Sequence, residues 1–98
     1  MRFFVRETDY QKNKMLNICD EDLLGKNVKE NELNLHISES YYGKRTVEKE
    51  EAKDLLKKSS IINMVGKETV SLSISLGIGT EEGVKTIEGV PFLIVFKM

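Results

Sequence analysis

Val70-Ser71-Leu72-Ser73-Ile74-Ser75-Leu76 is the stretch on which the fold turns. Apolar and small polar residues alternate through it, a period of two that suits a half-buried strand. Wound as a helix, the same residues would send their apolar side chains to two faces. Gly66 precedes the stretch and Gly77 and Gly79 close it. On its residues alone the segment reads as a strand.

Downstream, Val84 to Ile87 and Val90 to Phe96 read as two strands around Glu88-Gly89. Pro91 falls near the start of the second, where a missing N–H is tolerated. Upstream, Ile61-Ile62-Asn63-Met64-Val65 is a short apolar segment ending at Gly66. Before it, Thr46 has the character of a helix N-cap, with Glu48, Glu50 and Glu51 in the first turn and Lys57 and Lys58 in the last. That is the charge order a helix dipole favours. Val47, Ala52, Leu55 and Leu56 supply its apolar stripe, and Tyr41 to Arg45 form the loop ahead of it.

Glu32 to Ser38 alternates cleanly, with Leu33, Leu35 and Ile37 on one face and Asn34, His36 and Ser38 on the other. Asp20-Glu21-Asp22-Leu23-Leu24-Gly25 is one helical turn, with Asp20 placed to cap its free N–H groups and Gly25 to end it. Phe3 to Glu7 and Lys14 to Cys19 read as strands of a hairpin joined through the polar Asp9 to Asn13.

The 98 residues leave room for one core and one domain. A chain of this length buries roughly two-thirds of the surface its unfolded form exposes. Fifteen basic against sixteen acidic residues, a net charge of -1, give no global field for nucleic acid or anionic lipid. The single cysteine excludes an intrachain disulfide and a four-cysteine zinc site. No window approaches the roughly 20 apolar residues of a membrane span, and the apolar run at Phe3 is too short for a signal peptide and broken by Arg6. An intracellular, soluble protein is expected, without a membrane partner.

Four motifs in order then resemble one family over nearly the whole chain. They are Cys19-Asp20-Glu21-Asp22-Leu23-Leu24-Gly25-Lys26, Tyr41-Tyr42-Gly43, Asn63-Met64-Val65-Gly66 and Gly89-Val90-Pro91. The family is the archaeal domain of unknown function 424. The resemblance implies a compact α+β fold, an archaeal and cytoplasmic setting, and a helix over Val70 to Leu76. Gly66 and Gly77 fit a helix bounded on both sides, so the expectation adopted is α+β: a small mixed or antiparallel sheet of about five strands with two to three helices in a single layer. Similar proteins follow Gly-Val-Pro with a histidine, where this chain has Phe92-Leu93-Ile94-Val95-Phe96. Chemistry resting on that histidine cannot operate here.

Several residues bear on function, each with a plainer role beside it. Asp20, Glu21 and Asp22 have the oxygens for Mg²⁺ or Ca²⁺ but point in different directions, and helix capping explains them more simply. Cys19 with the lone His36 would make a nucleophile and base, although adjacent carboxylates oppose a thiolate and nothing brings the two together. Tyr41, Tyr42, Lys44 and Arg45 combine stacking surfaces with cations, suited to bases and phosphates or to a protein hot spot. Otherwise the tyrosines cover a core edge. Asn63, set among apolar residues, needs partners and would tie down a loop or meet a ligand. Gly66-Lys67 lacks the rest of a phosphate loop. Gly89 and Pro91 shape a turn. The apolar run after them is buried on both faces or pairs with another chain.

No catalytic residue, metal ligand or cofactor is assigned. The leading expectation is a non-enzymatic interaction or adaptor module with an unidentified protein partner, as monomer or homodimer, using the Tyr41 to Arg45 loop and the Gly89 to Phe92 turn. RNA is the alternative partner, with a role near translation. A small enzyme using Asp20, Glu21 or His36 is the third reading.

Overall fold

The computed structural model describes residues 1–43 and 45–97. Strand β1 (Arg2–Tyr10) turns into β2 (Asn13–Asp20) through Gln11 and Lys12, whose φ of 49° and 72° give the doubly left-handed turn that matches strand twist. Both strands run further into the expected Asp9–Asn13 turn than their composition suggests.

A two-stranded ribbon follows a 3-10 turn at Glu21–Leu23: β3 (Asn27–Glu30) against β4 (Leu33–His36). Tyr41 and Tyr42 are not loop residues: they close a one-turn helix α1 (Glu39–Tyr42), capped by the Ser38 hydroxyl on the Tyr41 N–H, and Arg45 opens strand β5 (Arg45–Glu48). Thr46 is therefore a strand residue and not a cap. Helix α2 (Lys49–Lys58) begins after Glu48, with Glu50 and Glu51 at its positive end and Lys57 and Lys58 at its negative end. Val47 still reaches the core, from β5.

Strand β6 (Ile61–Val65) pairs in parallel with β2, aligning Cys19 with Val65. Helix α3 (Lys67–Ser75) then covers the stretch whose period favoured a strand. It buries Thr69, Val70, Leu72 and Ser73, a helical face made with small polar residues. Each of those polar groups is bonded: the Ser73 hydroxyl donates to the Ile78 carbonyl at 2.7 Å, and the Thr69 hydroxyl to Asp20 at 2.7 Å. With no unpaired hydroxyl, burying that face costs little. Strands β7 (Lys85–Ile87) and β8 (Val90–Phe96) complete a six-stranded mixed sheet of order β5-β1-β2-β6-β8-β7.

The architecture is α+β. One face of the sheet, with Phe3, Leu16, Ile18, Ile62, Met64 and Leu93, packs under α2 and α3 as a single layer of long helices. Burial of each such side chain contributes about 1.5–3 kcal/mol. The opposite face carries Cys19, Val65 and Ile87 under Val28 of the ribbon, Ile37 just after it and Tyr42 of α1. That cover is partial: Ile94 and Phe96 of β8 remain 58% and 65% exposed. Of the two expectations for the run after Pro91, burial on both faces therefore does not hold at Ile94 and Phe96. Among the described residues no helix is long and apolar enough to cross a membrane.

Candidate interaction surface

Two motifs meet where β2 and β6 end side by side. Asp20 does not cap its own turn, which has no side-chain cap. Its carboxylate instead accepts from the N–H of Thr69 at 2.8 Å, from the Thr69 hydroxyl, and from the N–H of Glu68 at 3.1 Å. Those are first-turn donors of α3, which need a partner from outside the helix. Gly66 has φ +112°, and a side chain there would occupy the space of the Asp20 carboxylate. Its N–H donates to the Pro91 carbonyl at 2.9 Å, while its own carbonyl accepts from Val70. The acceptor opposite Pro91 is thereby drawn into α3, and the missing proline N–H leaves nothing unpaired.

A cleft of about 600 Å³ opens at this end of the sheet, lined by Glu21, Asp22, Lys67, Glu68, Gly89 and Pro91 among others. Asp20 also lines it, with its oxygens already committed. Among the described residues no three His, Cys, Asp or Glu side chains gather to hold a metal ion. Cys19 is fully buried, and burial pushes its thiol up to about 12, with the charge of Asp20 adding to the effect. A thiolate nucleophile is disfavoured there at neutral pH. His36 is exposed on β4, with Nδ1 2.8 Å from Asn27 Oδ1 across the ribbon.

The second cleft, of about 340 Å³, lies on the partly covered face, between β4, α1 and β8. Tyr41, Tyr42, Asn63, Phe92 and Ile94 line it with His36. The two tyrosine rings meet edge to face, centroids 4.9 Å apart. Tyr42 is buried and Tyr41 is 44% exposed. An asparagine pair holds this corner. Asn17 and Asn63 are aligned neighbours on β2 and β6; Asn63 Nδ2 donates to Asn17 Oδ1 at 2.7 Å, and Asn17 Nδ2 to the Tyr41 carbonyl at 2.9 Å. Gly43, directly after α1, passes so close to the Val5 carbonyl that a side chain would collide with it.

Of the residues singled out in the sequence, Tyr41, Tyr42 and Asn63 therefore share one cleft, and Gly89 and Pro91 the other. Arg45 lines neither. Its guanidinium bridges Glu51 at 2.7 Å and Glu7 at 3.0 Å, tying β5 to α2 and β1. Lys44 lies outside the described residues. Asn17, Ile94 and Phe96 were not singled out. Asn17 had a readable signal, since it sits within an apolar strand as Asn63 does. The exposure of Ile94 and Phe96 is only half legible: the near-continuous apolar run fits burial on both faces or pairing with another chain, and does not mark which face is uncovered.

Similarity to other proteins follows the same outline. The chain matches, at 26% identity and a TM-score of 0.80, the crystal structure of an uncharacterized conserved protein from Methanopyrus kandleri, covering all of this chain and 95% of that one. No curated protein matches it. The model of the family described as "Protein of unknown function (DUF424)" matches residues 8–98, and the chain belongs to that family.

Proposed function

We propose that the chain is a non-enzymatic protein-interaction module whose contact surface is the cleft between the Tyr41–Tyr42 corner and β8. One observation carries the reading: Tyr41 and Ile94, exposed large apolar side chains at 44% and 58%, line one concave site together with Asn63, and Phe96, 65% exposed, extends the apolar surface along β8 two residues beyond Ile94. Exposed aromatic and aliphatic anchors around a pocket are what protein hot spots use. The groups suited to chemistry have structural employment instead: Asp20 holds α3, and Cys19 is buried and protonated. Arg45 is engaged by two carboxylates, so it is less suited to neutralise phosphate beside the tyrosines, and this weighs the partner toward protein over RNA.

The test is capture from native lysate, with and without ribonuclease, with the parent chain and with Tyr41→Ser. Proteins held by the parent and lost with Tyr41→Ser are expected. Retention that disappears with ribonuclease and ignores Tyr41 would overturn the reading in favour of RNA.

A further inference from the structure

Along β8, residues alternate in the direction of their main-chain groups. The Lys97 N–H donates to the Ser60 carbonyl and the Gly66 N–H to the Pro91 carbonyl, so the odd-numbered positions bond toward β6. Even-numbered positions bond the other way. Val90 and Phe92 find Ile87 and Lys85 of β7 there, but β7 ends its pairing at Phe92. Among the described residues, Ile94 and Phe96 thus present their N–H and C=O groups to an edge with no strand against it. Their side chains are also exposed.

Sheet edges left open are normally protected by lysine, proline, a bulge or a covering segment. Here Pro91 lies where β7 already covers, and Lys97 is turned away. Its ammonium donates to the carbonyls of Leu56 at 2.6 Å and Lys57 at 2.9 Å, at the C-terminal end of α2. Positions 93–96 carry no charge.

We infer that this edge pairs with the same edge of a second copy, β8 antiparallel to β8 about a two-fold axis at Val95. The inference builds on the proposed interaction surface and names one partner for it. The register follows from the bonds. Setting Ile94 opposite Phe96 of the other copy satisfies every outward donor and acceptor of both residues, which neither Ile94 on Ile94 nor Phe96 on Phe96 achieves within the described strand. In that register Lys97 faces Leu93 of the second copy, so no like charges are opposed. A two-fold axis through paired antiparallel strands keeps the same sheet face upward in both copies. Ile94 and Phe96 of the two chains then form one apolar cluster, and each Phe96 joins the rim of the other copy's cleft. The two clefts become halves of one continuous surface. A single strand pair is a small interface, so association in the micromolar range is expected.

Sedimentation of the full chain over a concentration series tests this, with Phe96→Pro as the variant. Proline there removes an outward N–H and leaves the bonds to β6 in place. The parent is expected to dimerise, and Phe96→Pro to weaken association at least ten-fold with its melting curve at low concentration unchanged. In the parent, the amides of Ile94 and Phe96 should gain exchange protection as concentration rises. That readout decides the matter even where the variant does not fold. A parent that stays monomeric, or a dimer in which those two amides exchange freely, overturns the inference. Because Tyr41 lies off the edge, dimerisation that survives Tyr41→Ser while capture is lost separates this pairing from the partner reading, and a monomer that still captures through Tyr41 sinks the pairing alone.

Discussion

Gly66 and Asp20 occupy one another's space: the hydrogen of the glycine faces the carboxylate that caps α3, and no side chain fits between them. Gly66→Ala would force φ +112° on a residue with a Cβ and push Asp20 from the helix. Backbone strain of this kind costs of order 1–3 kcal/mol before the cap is counted. The expected loss on urea unfolding is about 3 kcal/mol. A loss below about 1 kcal/mol would show that the carboxylate has room to move.

Asp20→Ala should cost about 2 kcal/mol, because it strips a charge-assisted cap from two N–H groups and leaves the Thr69 hydroxyl buried without a partner. Protection of the Glu68 and Thr69 amides against exchange should fall first. Unchanged protection there would mean that solvent caps the helix equally well.

The asparagine pair predicts a local effect at the cleft. Asn17→Ala leaves the Tyr41 carbonyl and the Asn63 amide without their partner, at a cost of about 2 kcal/mol. It should also raise exchange through α1 while leaving α3 protected. Equal loosening of both helices would contradict the local role.

Alkaline pH acts through Cys19, whose thiol is raised from its ordinary 9.0 to about 12 by burial, with Asp20 adding to it. Between those values the unfolded chain loses its proton and the folded one keeps it, so unfolding becomes easier as pH rises. The stabilisation is fully present below pH 9 and falls by at most about 1.4 kcal/mol per pH unit above it. Cys19→Ala should show a flatter decline than the parent over that interval. Parallel declines would mean that the thiol stays protonated in neither state or in both.

How far the chain could be read before its fold was known depended on where the decisive partners lie. The β1–β2 hairpin and the stripe of α2 are local patterns, and Phe3, Leu16, Leu55 and Leu56 take the core positions their spacing gives them. α3 was not readable from its period because Thr69 and Ser73 turn inward, satisfied by Asp20 and the Ile78 carbonyl. Strand β5 contributes one buried residue, Val47, too little to separate it from the helix that follows. Asp20 looked like a cap and is one, but for a helix 48 positions away, which only the parallel alignment of β2 with β6 brings near. Gly89 and Pro91 have the character of turn-makers in sequence, and the turn itself is formed by Glu88 and Gly89 at φ 52° and 79°.

Quantitative capture from ribonuclease-treated lysate, comparing the parent with Tyr41→Ser, tests the central claim most directly. A protein partner retained by the parent and reduced at least ten-fold with Tyr41→Ser, while the melting curve holds, is the predicted result. Equal retention by both chains would contradict the claim that this cleft is the contact surface.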